Sequence, residues 1–151
     1  MFITSTHFNL EDVKKLFLAY HKEIAIDLSF QDFEHELDHL PGKYEAPDGC
    51  IYVAYINDQA IGCVALRRYE GYTGEIKRLF VDRDHRKKKV AITLMEHVIQ
   101  HARRLGYRYL VLDTLASMVP AITLYKKLGF YEIDAYYENP LNDVVYLKMD
   151  L

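Results

Sequence analysis

Cysteine is scarce in this chain. Its 151 residues hold only Cys50 and Cys63, without the number or spacing of a disulfide framework or a zinc site. Both lie in apolar runs that read as strands, which marks them as reduced core thiols. A basic excess is missing too: 19 Lys and Arg stand against 22 Asp and Glu, a formal charge of −3. That argues against a general nucleic-acid binder. No apolar run approaches the roughly 18 residues needed to span a bilayer. The opening MFITSTHFNL lacks the basic start and long apolar stretch of a signal peptide. A soluble cytoplasmic protein with neither membrane nor nucleic-acid partner is the expectation. Repeats, linkers and low-complexity segments are also lacking, so one domain over residues 1–151 is expected, with 50% apolar residues to fill its core.

What is present has the rhythm of an α/β chain. After a short N-terminal strand, Asn9 can cap a helix whose first turn holds Glu11 and Asp12 and whose apolar face is Val13, Leu16, Phe17 and Tyr20. A second helical stretch falls in SFQDFEHELDHL, and PGKYEAPDG reads as a long surface loop. CIYVAYIN, AIGCVALRRY and GEIKRLFV form a three-stranded antiparallel meander. From Lys89 the apolar positions Val90, Ala91, Leu94, Val98, Ala102 and Leu105 fit a helix ending at Gly106. YLVLDT is a short buried strand, Pro120 opens a helix ending at Gly129, and FYEIDAYY and DVVYLKMD supply two closing strands.

Glycine is absent where it would be most telling. VDRDHRKKKVAIT, residues 81–93, joins a strand to a helix and carries three consecutive lysines. A strand feeding a helix presents unpaired N–H groups and the positive end of a dipole, so it attracts an anion without glycine. Left-handed backbone at a lysine costs about 1–2 kcal/mol. A right-handed lysine there costs little and adds a charge-assisted contact. Taken alone, the run also fits a solvated helix start.

The stretch from Glu75 to Phe130 resembles the GNAT superfamily of acetyl-coenzyme A-dependent N-acetyltransferases. In that family the loop has the form Arg/Gln-x-x-Gly-x-Gly/Ala and holds the coenzyme A diphosphate. Arg86 matches its first position and Ala91 its last, while Lys89 replaces the central glycine and Lys87 stands where another glycine is common. LYKKLGF matches the family's LYxxxGF through Leu124, Tyr125, Gly129 and Phe130. Met118 stands where an asparagine is frequent. LPGKY, EIKRL, DTLASM and YYENP are similar to stretches in a subgroup of small bacterial members.

The resemblance implies a mixed, mostly antiparallel GNAT (acyl-CoA N-acyltransferase) sheet with helices on both faces, acetyl-CoA as co-substrate, and direct acetyl transfer to the amine of a small molecule. An amine must lose a proton before attack, and the departing thiolate gains from receiving one. By resemblance, Glu75 is the general base through water and Tyr125 the general acid. The residue types alone also allow Glu75 to pair with Lys77 or Arg78, and Tyr125 simply to pack. Backbone groups of Leu79, Phe80 and Val81 would hold the pantetheine arm and polarise the thioester carbonyl. Arg86, Lys87, Lys88, Lys89, Val90 and Ala91 would hold the diphosphate. Arg78 is a candidate for pairing an acceptor carboxylate. Tyr44, Tyr136, Tyr137 and Asn139 could form the rim of the acceptor site. Homodimers are common among such domains by resemblance, although no exposed apolar stripe marks one here.

Other readings compete. HELDH, residues 35–39, fits H-E-x-x-H, but it is short, runs into Pro41 and Gly42 and lacks a third ligand, so no metal is expected. His97 and His101 sit on a polar helix face. Cys63 lacks the electropositive context of a nucleophile. A non-catalytic acetyl-CoA-binding or regulatory module of the same fold is the alternative that the lysine-for-glycine change motivates.

Overall fold

The computed structural model describes residues 1–24 and 32–151. In chain order the elements are β1 (Phe2–Thr4), α1 (Leu10–Ile24), α2 (Phe33–Asp38), β2 (Cys50–Ile56), β3 (Gln59–Glu70), β4 (Thr73–Val81), α3 (Val90–Arg104), β5 (Tyr109–Leu115), α4 (Val119–Leu128), β6 (Tyr131–Ile133) and β7 (Val144–Asp150). They form one seven-stranded sheet in the order β1-β2-β3-β4-β5-β7-β6. Every neighbouring pair is antiparallel except β4 with β5. This is the mixed, mostly antiparallel sheet expected, with helices on both faces.

Local chemistry sets the boundaries. The Asn9 side chain accepts the Asp12 amide at 2.8 Å, which caps α1. Asn57 and Asp58, both left-handed, turn β2 into β3. α3 buries Val90, Leu94, Met95, Val98, Ile99 and Ala102 against one face of the sheet, beside Val64, Leu66, Ile76 and Leu110. Val13, Leu16 and Phe17 of α1 join Phe33, Val53, Cys63 and Phe80 in a second apolar cluster.

The second helical stretch forms α2, and residues 29–31 of SFQDFEHELDHL lie outside the described residues. Three expectations are revised. Leu105 follows α3 and is 37% exposed, so the apolar stripe ends at Ala102. PGKYEAPDG does not lie wholly on the surface: it contains a short 3-10 turn, Gly42–Tyr44, and buries Tyr44. The strand expected over FYEIDAYY stops at Ile133, and Tyr136 and Tyr137 bend inward instead. Both tyrosines have partners for their hydroxyls inside the fold, which holds them away from a strand ladder.

Candidate active site

The site begins with a defect in the sheet. β4 and β5 pair only from Thr73↔Tyr109 to Glu75↔Val111, yet β4 continues to Val81 and β5 to Leu115. Beyond Glu75 the strands part and leave a cleft lined by Leu79, Asp113, Met118, Ala121 and Tyr125, with Tyr20 of α1 above it. A bulge in β4 lies at the same level. The register against β3 shifts between Cys63↔Phe80 and Ala65↔Lys77, and Arg78 takes a left-handed φ of 61°. Lys77 shares the face of Glu75 by ordinary alternation, and the extra residue puts Arg78 on that face as well, with Phe80, toward α1 and α2.

That face holds a set of ion pairs. Arg67, directly opposite Glu75 on β3, donates to its carboxylate at 2.7 Å, and the Tyr136 hydroxyl donates to the other carboxylate oxygen. The Glu75 side chain is 1% exposed, so both bonds are needed to hold it there. Its hydrogen-bond partners are therefore Arg67 and Tyr136. The Arg78 guanidinium forks onto Glu36 of α2, with Nε at 3.0 Å and Nη2 at 3.3 Å, and lies over the rings of Tyr20 and Phe33. Tyr44 donates to the same Glu36 at 2.8 Å. The Arg78 fork, expected to meet an acceptor carboxylate, here holds a carboxylate of the protein itself.

Lys77 lies 3.9 Å from Asp113 across the parted strands. Asp113 also accepts a short bond from Tyr137, whose oxygen takes a bond from Asn139 at 2.8 Å. Tyr44 and Tyr137 line a pocket with Arg67, Glu75, Lys77 and Arg78, adjoining the cleft. Tyr136 and Asn139 support this rim from behind by holding Glu75 and Tyr137. HELDH supplies Glu36 to the Arg78 pair, while His35 and His39 stack on each other in the open. Among the described residues no cluster of metal-ligating side chains is found.

Tyr125, on α4, is buried at the cleft wall and packs edge-on to Phe130. Burial pushes its phenol well above the usual tyrosine value, so it stays protonated at neutral pH. Such a group can give a proton to a thiolate. Burial likewise pushes the thiols up, to about 12 for Cys50 and further for Cys63, so both are inert core residues.

The glycine-free loop leads from Val81 into α3. Lys87 has φ 69° and Lys89 φ 60°, so the backbone is left-handed at both positions where the resemblance expects glycine. Lys87, Lys88 and Lys89 are all exposed. Among the described residues, the amides of Lys87, Lys88, Lys89, Val90 and Ala91 have no backbone acceptor, which leaves a nest of donors at the start of a 15-residue helix. Arg86 does not reach over this nest: it bonds the Val81 carbonyl and Glu23 of α1 and sits over the Phe80 ring. Its side chain ties the loop to α1. Leu79 lines the cleft, Phe80 packs under α1, and Val81 belongs to the α3 core.

The sheet is splayed beyond Glu75, β4 is bulged at the same level, and an amide nest stands at the start of α3. The family model described as Acetyltransferase (GNAT) family matches residues 10–130. The chain belongs to this family. An uncharacterized N-acetyltransferase of Schizosaccharomyces pombe is 39% identical over 145 residues, covering 95% of this chain and 89% of that one. The N-acetylaspartate synthetase of Mus musculus is 34% identical over 123 residues, covering 81% of this chain and 39% of that protein. A GNAT acetyltransferase of Elizabethkingia anophelis, solved with acetyl-CoA bound, shares 30% identity and a TM-score of 0.60, covering 69% of this chain and 77% of that one. The protein is thus an N-acetyltransferase, and its fold is one that takes acetyl-CoA as donor. The yeast relative matches over nearly its whole length, so chains of this form are not confined to bacteria.

Sequence reasoning missed Arg67, Lys77, Asp113 and Glu36. Arg67 sits opposite Glu75, a pairing that becomes legible only once the β3–β4 register is known. Glu36 was hidden within a metal-like pattern.

Proposed function

We propose that this GNAT enzyme acetylates the amine of a small, carboxylate-bearing molecule by direct attack on the thioester. The observation that carries this reading is the ladder between β4 and β5, which stops at Glu75↔Val111 and opens a cleft with Tyr125 in its wall and the acceptor pocket beside it. The amides from Lys87 to Ala91 receive the diphosphate, with the lysine charges around it. The unpaired edge of β4 from Leu79 to Val81 receives the pantetheine arm, and its amides polarise the thioester carbonyl.

The acceptor enters over Tyr44, Arg67 and Tyr137. Glu75 takes its proton through water, held in orientation by Arg67 and Tyr136. Tyr125 returns a proton to the sulfur. The similarity to an N-acetylaspartate synthetase favours an acceptor with a negative group; the pocket itself carries both signs, with Lys43, Arg67, Lys77 and Arg78 beside Asp32, Glu36, Glu75 and Glu138. The polar, tyrosine-walled pocket under α2 and the Gly42–Tyr44 turn suits a small molecule better than a chain.

The test is thiol release from acetyl-CoA in the presence of single amino acids, simple amines and short peptides. Release driven by a small amino acid and weak with peptides supports the proposal. Saturable acetyl-CoA binding with no release from any acceptor would put the non-catalytic module in its place.

A further inference from the structure

Lys77 and Arg78 line both the cleft and the acceptor pocket, so they stand where the two meet. Of these, arginine stays protonated and is no nucleophile. Lysine is the same functional group as the acceptor this enzyme is built to acetylate. Lys77 lies two residues before Leu79, at most about 7 Å along the chain across the bulge, a span its four-carbon stem can cover. Regular alternation from Glu75 sets its side chain on the face from which an acceptor approaches. Its ammonium reaches across the splay to within 3.9 Å of Asp113 on the far strand.

We propose that Lys77 is an acetyl acceptor within the enzyme: when no acceptor amine is present, the thioester held in the cleft acetylates its Nζ. The neutral amine adds to the carbonyl carbon, a C–N bond forms and the C–S bond breaks. Coenzyme A leaves as the thiol with a proton from Tyr125, and the proton lost by Nζ restores the phenol. No other reactant is consumed. The product is a neutral amide that loses its attraction to Asp113 and fills the junction between cleft and pocket. Acetylation of Lys77 therefore switches off transfer to free acceptors.

The setting makes the neutral amine easier to reach than in an ordinary lysine. Burial lowers the Lys77 pKa from the ordinary lysine value; the charges of Glu75 and Asp113 oppose this shift, and those of Arg78 and Arg67 add to it. The same burial makes the inference testable. The Lys77 side chain is 10% exposed and that of Lys126 is 51% exposed. A reagent arriving from solvent modifies Lys126 and the lysines at 87–89 first. Delivery from the cleft reverses that order.

This inference rests on the proposed function, and the experiment separates the two. The full chain is incubated with acetyl-CoA and no acceptor, then followed by intact mass, peptide mapping and thiol release, alongside a sample treated with acetic anhydride. The expected result is one acetyl group on Lys77, with one thiol released per chain, blocked by excess coenzyme A. The anhydride sample shows the exposed lysines labelled ahead of Lys77. Lys77→Arg abolishes the labelling. Tyr125→Phe slows it at least tenfold in a chain that keeps Lys77, which guards against misfolding of the first variant. Acetyl-CoA that binds by calorimetry yet leaves Lys77 unmodified, or labels the exposed lysines first, overturns the inference and leaves the proposed function standing. Absence of acetyl-CoA binding would overturn both.

Discussion

Lys87→Gly and Lys89→Gly should make this enzyme more stable, against the usual effect of placing glycine in a structured segment. Both backbones are left-handed, at φ 69° and 60°, and each costs a residue with a Cβ about 1–2 kcal/mol. Glycine removes that cost and returns roughly 0.5–1 kcal/mol as extra freedom in the unfolded chain. The net gain is about 0–1.5 kcal/mol per site. At roughly 2–4 °C per kcal/mol for a chain of this length, Tm rises by up to about 6 °C for each variant. The strain is already present in the ligand-free fold, so relieving it changes stability and leaves the binding free energy alone. Acetyl-CoA affinity falls only through the lost lysine charge, by about tenfold or less. Lys87→Ala and Lys89→Ala keep the strain and lose the charge, so they show the affinity loss without the gain in Tm. Differential scanning calorimetry and isothermal titration on the five proteins read both quantities. A fall in Tm for both glycine variants would refute a left-handed loop.

Three other outcomes follow from the site. Tyr125→Phe should cut turnover by about 10²–10⁴ while acetyl-CoA affinity stays within about twofold; equal losses in both would make Tyr125 a packing residue. Glu36→Gln removes the carboxylate onto which the 2%-exposed Arg78 side chain forks and should cost about 1–3 kcal/mol in chemical denaturation; no measurable loss would mean the pair is not buried in solution. Burial, reinforced for Tyr136 by Glu75 and for Tyr137 by Asp113, raises these two phenols above 10.0. Tyr44 and Tyr125 are raised as well. A raised folded value means the contribution is complete below the unfolded tyrosine value and is lost as pH rises above it. Stability should therefore fall above about pH 10, by about 1.4 kcal/mol per pH unit for each such tyrosine. A flat Tm through that range would contradict the buried hydroxyl network, and Tyr136→Phe should shallow the slope.

Much of the fold was legible because its signals are local. Asn9, Pro120, Gly106 and Gly129 mark helix ends through the backbone conformations or bonds that they supply. The family itself was carried by LYKKLGF and the strand leading into the loop. Long-range pairing was not legible. Nothing along the chain links Glu75 to Tyr136, 61 positions away, or Glu36 to Arg78, 42 positions away. The bulge at Arg78 was equally hidden, since an arginine gives no hint of positive φ, and it decides which side chains face the acceptor. The lysine loop shows the same thing in reverse: the motif pointed to glycine, and the fold keeps the glycine-like backbone with lysine in it.

The central claim is that the gap between β4 and β5 and the lysine-bearing helix start together form an acetyl-CoA site. Calorimetric titration of acetyl-CoA into the enzyme tests it most directly. The account predicts one site per chain with micromolar affinity, near −8 kcal/mol, weakened when Lys88→Glu places a negative charge beside the amide nest. Absence of saturable binding, or binding indifferent to that charge reversal, would contradict it.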